Sequence, residues 1–192
     1  LAQLAKAGGD DPFLAAAIGS SAARHSKALL AQVLADPTMT ALPLFQQLVQ
    51  MSVATKDLET VAALLDRGCA DDPASRLALA RMADVLAVHG LKLEEIAARN
   101  DHSARLRAAL ARAASLARDE ATPLTKRKVA VNLLGRTTQR RPDDLQIALS
   151  LLSTTTPGEI QSSALRAAAR CTASAEDQSL PTLLLKRWST LS

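Results

Sequence analysis

The sequence predicts an all-α protein, a right-handed α-solenoid of about ten helices arranged in antiparallel pairs. Three observations carry this. Ala and Leu dominate, with Arg as the main cation and only 2% aromatic residues, the composition of packed helices. β-Branched residues are scattered and never form the alternating run of a half-buried strand. Asp, Ser or Thr followed by Pro recurs along the chain, and Pro is tolerated where the first helical N–H has no partner anyway. A chain of 192 residues can form one ordinary domain, or several stacked repeats without a central core. No internal boundary is legible, so residues 1–192 are expected to form a single solenoid domain.

The elements follow in order. "LAQLAKAGG" reads as the end of a helix whose beginning precedes it, with Gly8 and Gly9 suited to a left-handed helix stop. The chain is therefore expected to be a piece of a larger multidomain protein. Asp11-Pro12 opens "PFLAAAIGSSAAR", whose face of Ala15, Ala16, Gly19 and Ser20 is small enough to let a neighbouring helix approach closely. Leu42, Phe45, Leu48, Val49 and Val53 make the next stripe, followed by Leu58, Val61, Leu64 and Leu65. Asp72-Pro73 starts a helix with Leu77, Leu79, Met82, Val85 and Leu86, and Leu106, Leu110, Ala113, Ala114 and Ala117 form another stripe. Thr122-Pro123 precedes Val129, Ala130, Leu133 and Leu134; Arg141-Pro142-Asp143 precedes Leu145, Ala148, Leu149 and Leu152. Thr156-Pro157 leads into Ile160, Ala164, Leu165 and Ala168, and Leu180, Leu183, Leu184 and Trp188 close the series.

An internal repeat supports stacking. "PLTKRKVAVNLLGR" from Pro123 and "PGEIQSSALRAAAR" from Pro157 lie 34 residues apart, and each reaches an Arg, Arg136 or Arg170, after the same interval. Helix pairs of this kind cannot bury their apolar faces alone and must stack on neighbours. The irregular spacing suits HEAT/armadillo-like pairs better than a tightly templated repeat.

Chemistry is sparse. CxxC, CxxCH, GxSxG, HExxH and a Gly-rich phosphate loop are all missing, which leaves no catalytic, cofactor or metal residue to nominate. Cys69 and Cys171 read as small buried hydrophobes, with a long-range disulfide open if the protein is exported. His25, His89 and His102 are isolated; His89, before Gly90, and His102, after Asp101, look like helix-terminus residues. Met39, Met51 and Met82 read as core filler. The acids Asp71-Asp72, Asp143-Asp144 and Glu176-Asp177 fall at helix N-termini, where the dipole favours them. No apolar run is long enough to span a membrane.

One stretch is charged enough to suggest a partner. Between Asp101 and Arg141 stand ten basic and three acidic residues, a net +7 in a chain of net +4, leaving −3 for the rest. Lys126, Arg127 and Lys128 lie in the first turns of the helix after Pro123, where the dipole already disfavours cations, and only Asp119 and Glu120 are near in sequence. Arg136, Arg140 and Arg141 follow. These six, with Trp188 as an anchor for the last helix or a contact to a following domain, are the candidate interaction residues. The expected partner is an acidic protein surface or a neighbouring domain of the same polypeptide. Nucleic acid is disfavoured, because no aromatic residues are interleaved to stack bases.

"DPFLAAAIGSSAARHSKALLAQVLADP", the "LLGR" at 133–136 and "PGEIQSSALRAAARCTASAEDQSLPTLLLKRWSTLS" together resemble the HEAT-like segment of the large planctomycete-type membrane-bound dehydrogenases. The resemblance runs over nearly the whole chain, in the same order. It implies a non-catalytic segment between a β-propeller dehydrogenase domain and a C-terminal cytochrome c domain. In that setting the segment lies in the periplasm or at the membrane, and haem c is held outside these residues. The alternative is a free-standing HEAT-type module that binds an acidic protein or nucleic acid.

Overall fold

The computed structural model describes Asp11, Phe13 and Ala17, residues 26–36 and 43–172, and Pro181 and Thr182. Among these residues there are nine α-helices, one 3₁₀ turn and no strand, so the protein is all-α. The helices are α1 (Ser26–Ala35), α2 (Pro43–Ala54), α3 (Leu58–Gly68), α4 (Pro73–Val88), α5 (Leu93–Arg99), α6 (Ser103–Arg118), α7 (Leu124–Asn132), α8 (Arg141–Ser150) and α9 (Gly158–Thr172), with the 3₁₀ turn at Thr138–Arg140. The chain divides into two compact units, Leu1–Ala109 and Leu110–Ser192.

Local chemistry sets the helix starts. Asp72 caps α4 by accepting the Ser75 N–H at 2.8 Å, and Pro73 is the first helical residue, as the Asp-Pro signal predicts. Asp57 caps α3 through the Thr60 N–H, a start that carries no proline. Before α7, Pro123 is itself the capping position and offers no side-chain cap, while the Thr122 hydroxyl donates to Asp119. The Pro157 carbonyl accepts the Ile160 and Gln161 N–H groups at the start of α9. At the amino end, Asp11 Oδ1 accepts the Phe13 N–H at 2.8 Å, consistent with a helix start at Asp11-Pro12.

In the first unit α1 packs on α2 and α3, α2 on α3 and α4, and α3 on α4 and α5. Phe45, Leu64, Leu65, Leu79, Met82 and Leu86 are fully buried there. Each such side chain contributes on the order of 1.5–3 kcal/mol by leaving water. The approach of α3 to α4 is close at Gly68, where an added Cβ would lie 3.3 Å from the Leu79 Cβ.

In the second unit α9 packs on both α7 and α8. Its buried face is Ile160, Ser163, Ala164, Ala167, Ala168 and Cys171, mostly small residues that let two neighbours come near. The stripe predicted around Leu165 shifts accordingly, since Leu165 is 40% exposed. In α8 the buried residues are Asp144, Ile147 and Ala148, followed by Leu151. The predicted stripe of Leu145, Ala148, Leu149 and Leu152 is thus one residue out of phase. A carboxylate occupies its first core position, and in α7 that position is taken by Arg127 ahead of Ala130 and Val131.

The small face at Ala15, Ala16, Gly19 and Ser20, the helix end at 1–9, the acids Glu176-Asp177 and the terminal stripe with Trp188 lie outside the described residues, as do His25 and Met39.

Candidate functional site

The basic stretch splits into side chains that face outward and side chains used within the unit. Lys126, in the first turn of α7, is exposed. Arg127 is only 7% exposed, and its Nε donates to the Ala117 carbonyl at 2.9 Å. That carbonyl belongs to the last turn of α6, the negative end of a helix dipole, which favours the buried cation there. Lys128 donates to Glu159 Oε2 at 2.7 Å, linking α7 to α9. The hydrogen bond and charge from Lys128 hold the Glu159 carboxyl below its ordinary range. Compensation for the cations of α7 therefore does not rest on Asp119 and Glu120 alone. Asp119 does take part: the Thr122 hydroxyl, the Ala121 N–H and the Arg127 charge hold its carboxyl low.

Arg136 donates from Nε to the Asn132 carbonyl at 3.0 Å. Arg170, its counterpart 34 residues later, reaches the same carbonyl through Nη2 at 3.2 Å and the Leu134 carbonyl through Nε at 3.2 Å. The two repeat-related arginines thus converge on one place, the carbonyl end of α7, where positive charge is favoured. Arg140 lies 3.4 Å from Asp144 Oδ1, and Arg141, half-buried, opens α8. Trp188, the remaining candidate, is outside the described residues.

These contacts surround a polar node that sequence reasoning missed. Gly135, with φ +73°, donates its N–H to Asp144 Oδ2 at 2.9 Å. Asp144 is 2% exposed, and burial pushes its carboxyl above the ordinary range against the opposing pull of the Gly135 N–H and Arg140. Cys171 lies alongside. Burial, reinforced by the Asp144 charge, pushes its thiol up to about 11, against the nearby charges of Arg170 and Arg141. A buried thiol with a raised pKa is a poor nucleophile, and the contacts of the node join the ends of α7, α8 and α9. The signals for it were the glycine of "LLGR" and the repeated arginine. Asp144 reads in sequence as an ordinary first-turn acid.

In the first unit, His89 is the C-cap residue of α4, as expected, and His102 directly precedes α6. His102 Nδ1 lies 3.5 Å from Asp66 Oδ1, which also accepts from Arg105. Cys69 and Cys171 are both buried free thiols. Among the described residues no group of three or more His, Cys, Asp or Glu side chains is placed to hold a metal, and no helix is long and apolar enough to cross a membrane. In comparisons with known proteins the chain matches no family model, no curated protein and no solved structure.

Proposed function

We propose that this chain is a non-catalytic α-solenoid segment that holds neighbouring domains of its polypeptide. The observation that carries the reading is the packing order. The most extensive packings join elements that are adjacent or next-but-one along the chain: α1 with α2 and α3, α2 with α4, α3 with α5, α7 with α9. Stacked helical repeats bury their faces in this way, each unit leaning on its sequence neighbours. The small-residue face of α9 and the 34-residue correspondence of Arg136 and Arg170 support it further.

The more specific reading rests on the resemblance. It makes the chain a link between a propeller dehydrogenase domain and a cytochrome c domain of an exported protein, with haem c held outside this segment. Reading the encoding gene through both ends tests it. A signal peptide upstream and a CxxCH motif downstream are the expected result, and a reading frame with neither rejects the placement. The solenoid itself is tested by amide hydrogen exchange on a Leu64→Ala variant. Faster exchange confined to α2–α5, with α7–α9 unchanged, is expected of nearest-neighbour stacking. Equal acceleration in both units would reject it.

A further inference from the structure

We propose that the first unit holds a binding site for a small organic monocarboxylate with an apolar body. A cavity of about 340 Å³ opens where the end of α2, the start of α3, the end of α4 and the helix α5 meet. Ligand sites occupy roughly 300–1,000 Å³. At about 30 Å³ per water in the liquid, this one has room for roughly ten non-hydrogen atoms. Its apolar lining is Val53, Leu58, Leu91 and Ile96, with Val53 and Ile96 buried and Leu58 and Leu91 half-buried.

The rim is charged and its balance is positive. Lys56, His89, Glu95 and Arg99 line it. Glu95 is already held by Lys92 at 3.4 Å, whereas among the described residues neither Lys56 nor Arg99 has an ion-pair partner. An apolar lining beside unpartnered cations fits a ligand with one anionic head and one apolar body. A bare phosphate or a metal ion would leave the lining unused.

Lys56 adds an argument from the backbone. It sits at φ +57° in the left-handed position that ends α2, with its N–H bonded to the Val53 carbonyl and the Asp57 N–H to the Ser52 carbonyl. The same motif ends α4, where the left-handed residue is Gly90. Glycine adopts this conformation without strain and lysine does not. The chain therefore places a strained, long cation at the mouth of the cavity.

The proposal is independent of the scaffold reading and is tested on the whole 192-residue protein by calorimetric titration and amide chemical shifts. The probe is octanoate below its micelle concentration, with 1-octanol as the neutral counterpart. Lys56→Gly removes one cation while relaxing the backbone, so a loss of binding there cannot come from misfolding; Arg99→Gln removes the other. Saturable octanoate binding is expected, with shifts centred on Val53, Leu58, Leu91 and Ile96, weakened about tenfold in each variant, and with octanol about tenfold weaker than octanoate. No saturable octanoate binding, octanol binding as tightly as octanoate, or variants that bind octanoate unchanged would each overturn the proposal.

Discussion

Gly135 donates its backbone N–H to the buried Asp144 carboxylate at 2.9 Å, closing the end of α7 with a side chain from α8. The ends of α2 and α4 are closed locally. The left-handed residues Lys56 and Gly90 give their N–H groups to Val53 and Ala87, carbonyls of the helix just finished. At Gly135 the N–H goes instead to a side chain nine residues further on, so α8 adds to the local bonds from the Leu133 and Leu134 N–H groups to the Ala130 and Val131 carbonyls.

Gly135→Ala is expected to destabilise the protein by about 2–3 kcal/mol. The left-handed φ strains any side chain, and the new Cβ would stand 2.7 Å from Cys171 Sγ and 3.2 Å from the Ala167 carbonyl oxygen. The check is a lower denaturation midpoint with an unchanged slope.

Asp144 and Asp72 are expected to give opposite pH dependences. Burial raises the Asp144 carboxyl above its ordinary value of 3.8. The native state then holds a proton that the unfolded chain has released, and stability falls as pH climbs from that value through the raised one. For Asp72, burial also pushes upward. The Ser75 hydroxyl and N–H, with Arg67, outweigh it and hold the carboxyl below 3.8. Its contribution is full above that value and lost as pH falls through the lowered one. Urea titrations from pH 3 to 7 on Asp144→Asn and Asp72→Asn should each lose the corresponding slope relative to the parent. Asp144→Ala, which strands the buried Gly135 N–H, should cost about 1–3 kcal/mol at neutral pH.

The cations of α7 should separate cleanly. Arg127→Ala removes a buried side chain and the donor to Ala117, a loss of about 2–3 kcal/mol. Lys126→Gln and Lys128→Gln are surface changes and should leave the thermal midpoint where it is. A midpoint for Arg127→Ala equal to that of the parent would contradict the internal role given to this residue.

Arg127, Lys128, Arg136 and Arg140 are bonded within the second unit, and the exposed cations of the stretch, Arg105, Arg107, Arg118 and Lys126, are spread over α6 and α7 with no aromatic residues between them to stack bases. Duplex or single-stranded DNA, titrated at near-physiological salt, should bind weakly and salt-sensitively. Lys126→Glu/Lys128→Glu should change this little. Tight binding that survives that salt and collapses in the double variant would favour the nucleic-acid module over the scaffold.

Cys171 should resist thiol reagents in the folded protein. Its thiol is buried and pushed up to about 11, so the reactive thiolate is scarce near neutral pH. Labelling of a Cys69→Ala variant at pH 8 should be slow without denaturant and fast in urea. Immediate labelling of the native protein would show the node to be open.

The sequence by itself determined what depends on residues within a turn or two of each other. Helicity follows from Ala and Leu at helical spacing, the α4 start from Asp72-Pro73, and the His89 C-cap from the glycine after it. The faces of α3 and α6 were equally legible, because Val61, Leu64 and Leu65, and Leu106, Leu110, Ala113, Ala114 and Ala117, are apolar at core positions and remain buried. In α7, Ala130, Leu133 and Leu134 of the expected stripe are buried, but Arg127 beside them was not foreseen, and the stripe of α8 was one residue out, since Arg127 and Asp144 hold core positions with residue types that ordinarily mark the solvent face. Only the tertiary structure decided that these two charges turn inward, because what repays their burial is a partner supplied by another helix: the Ala117 carbonyl for one, the Gly135 N–H for the other. Such pairings depend on how the helices dock, and no periodicity or capping signal along the chain encodes them.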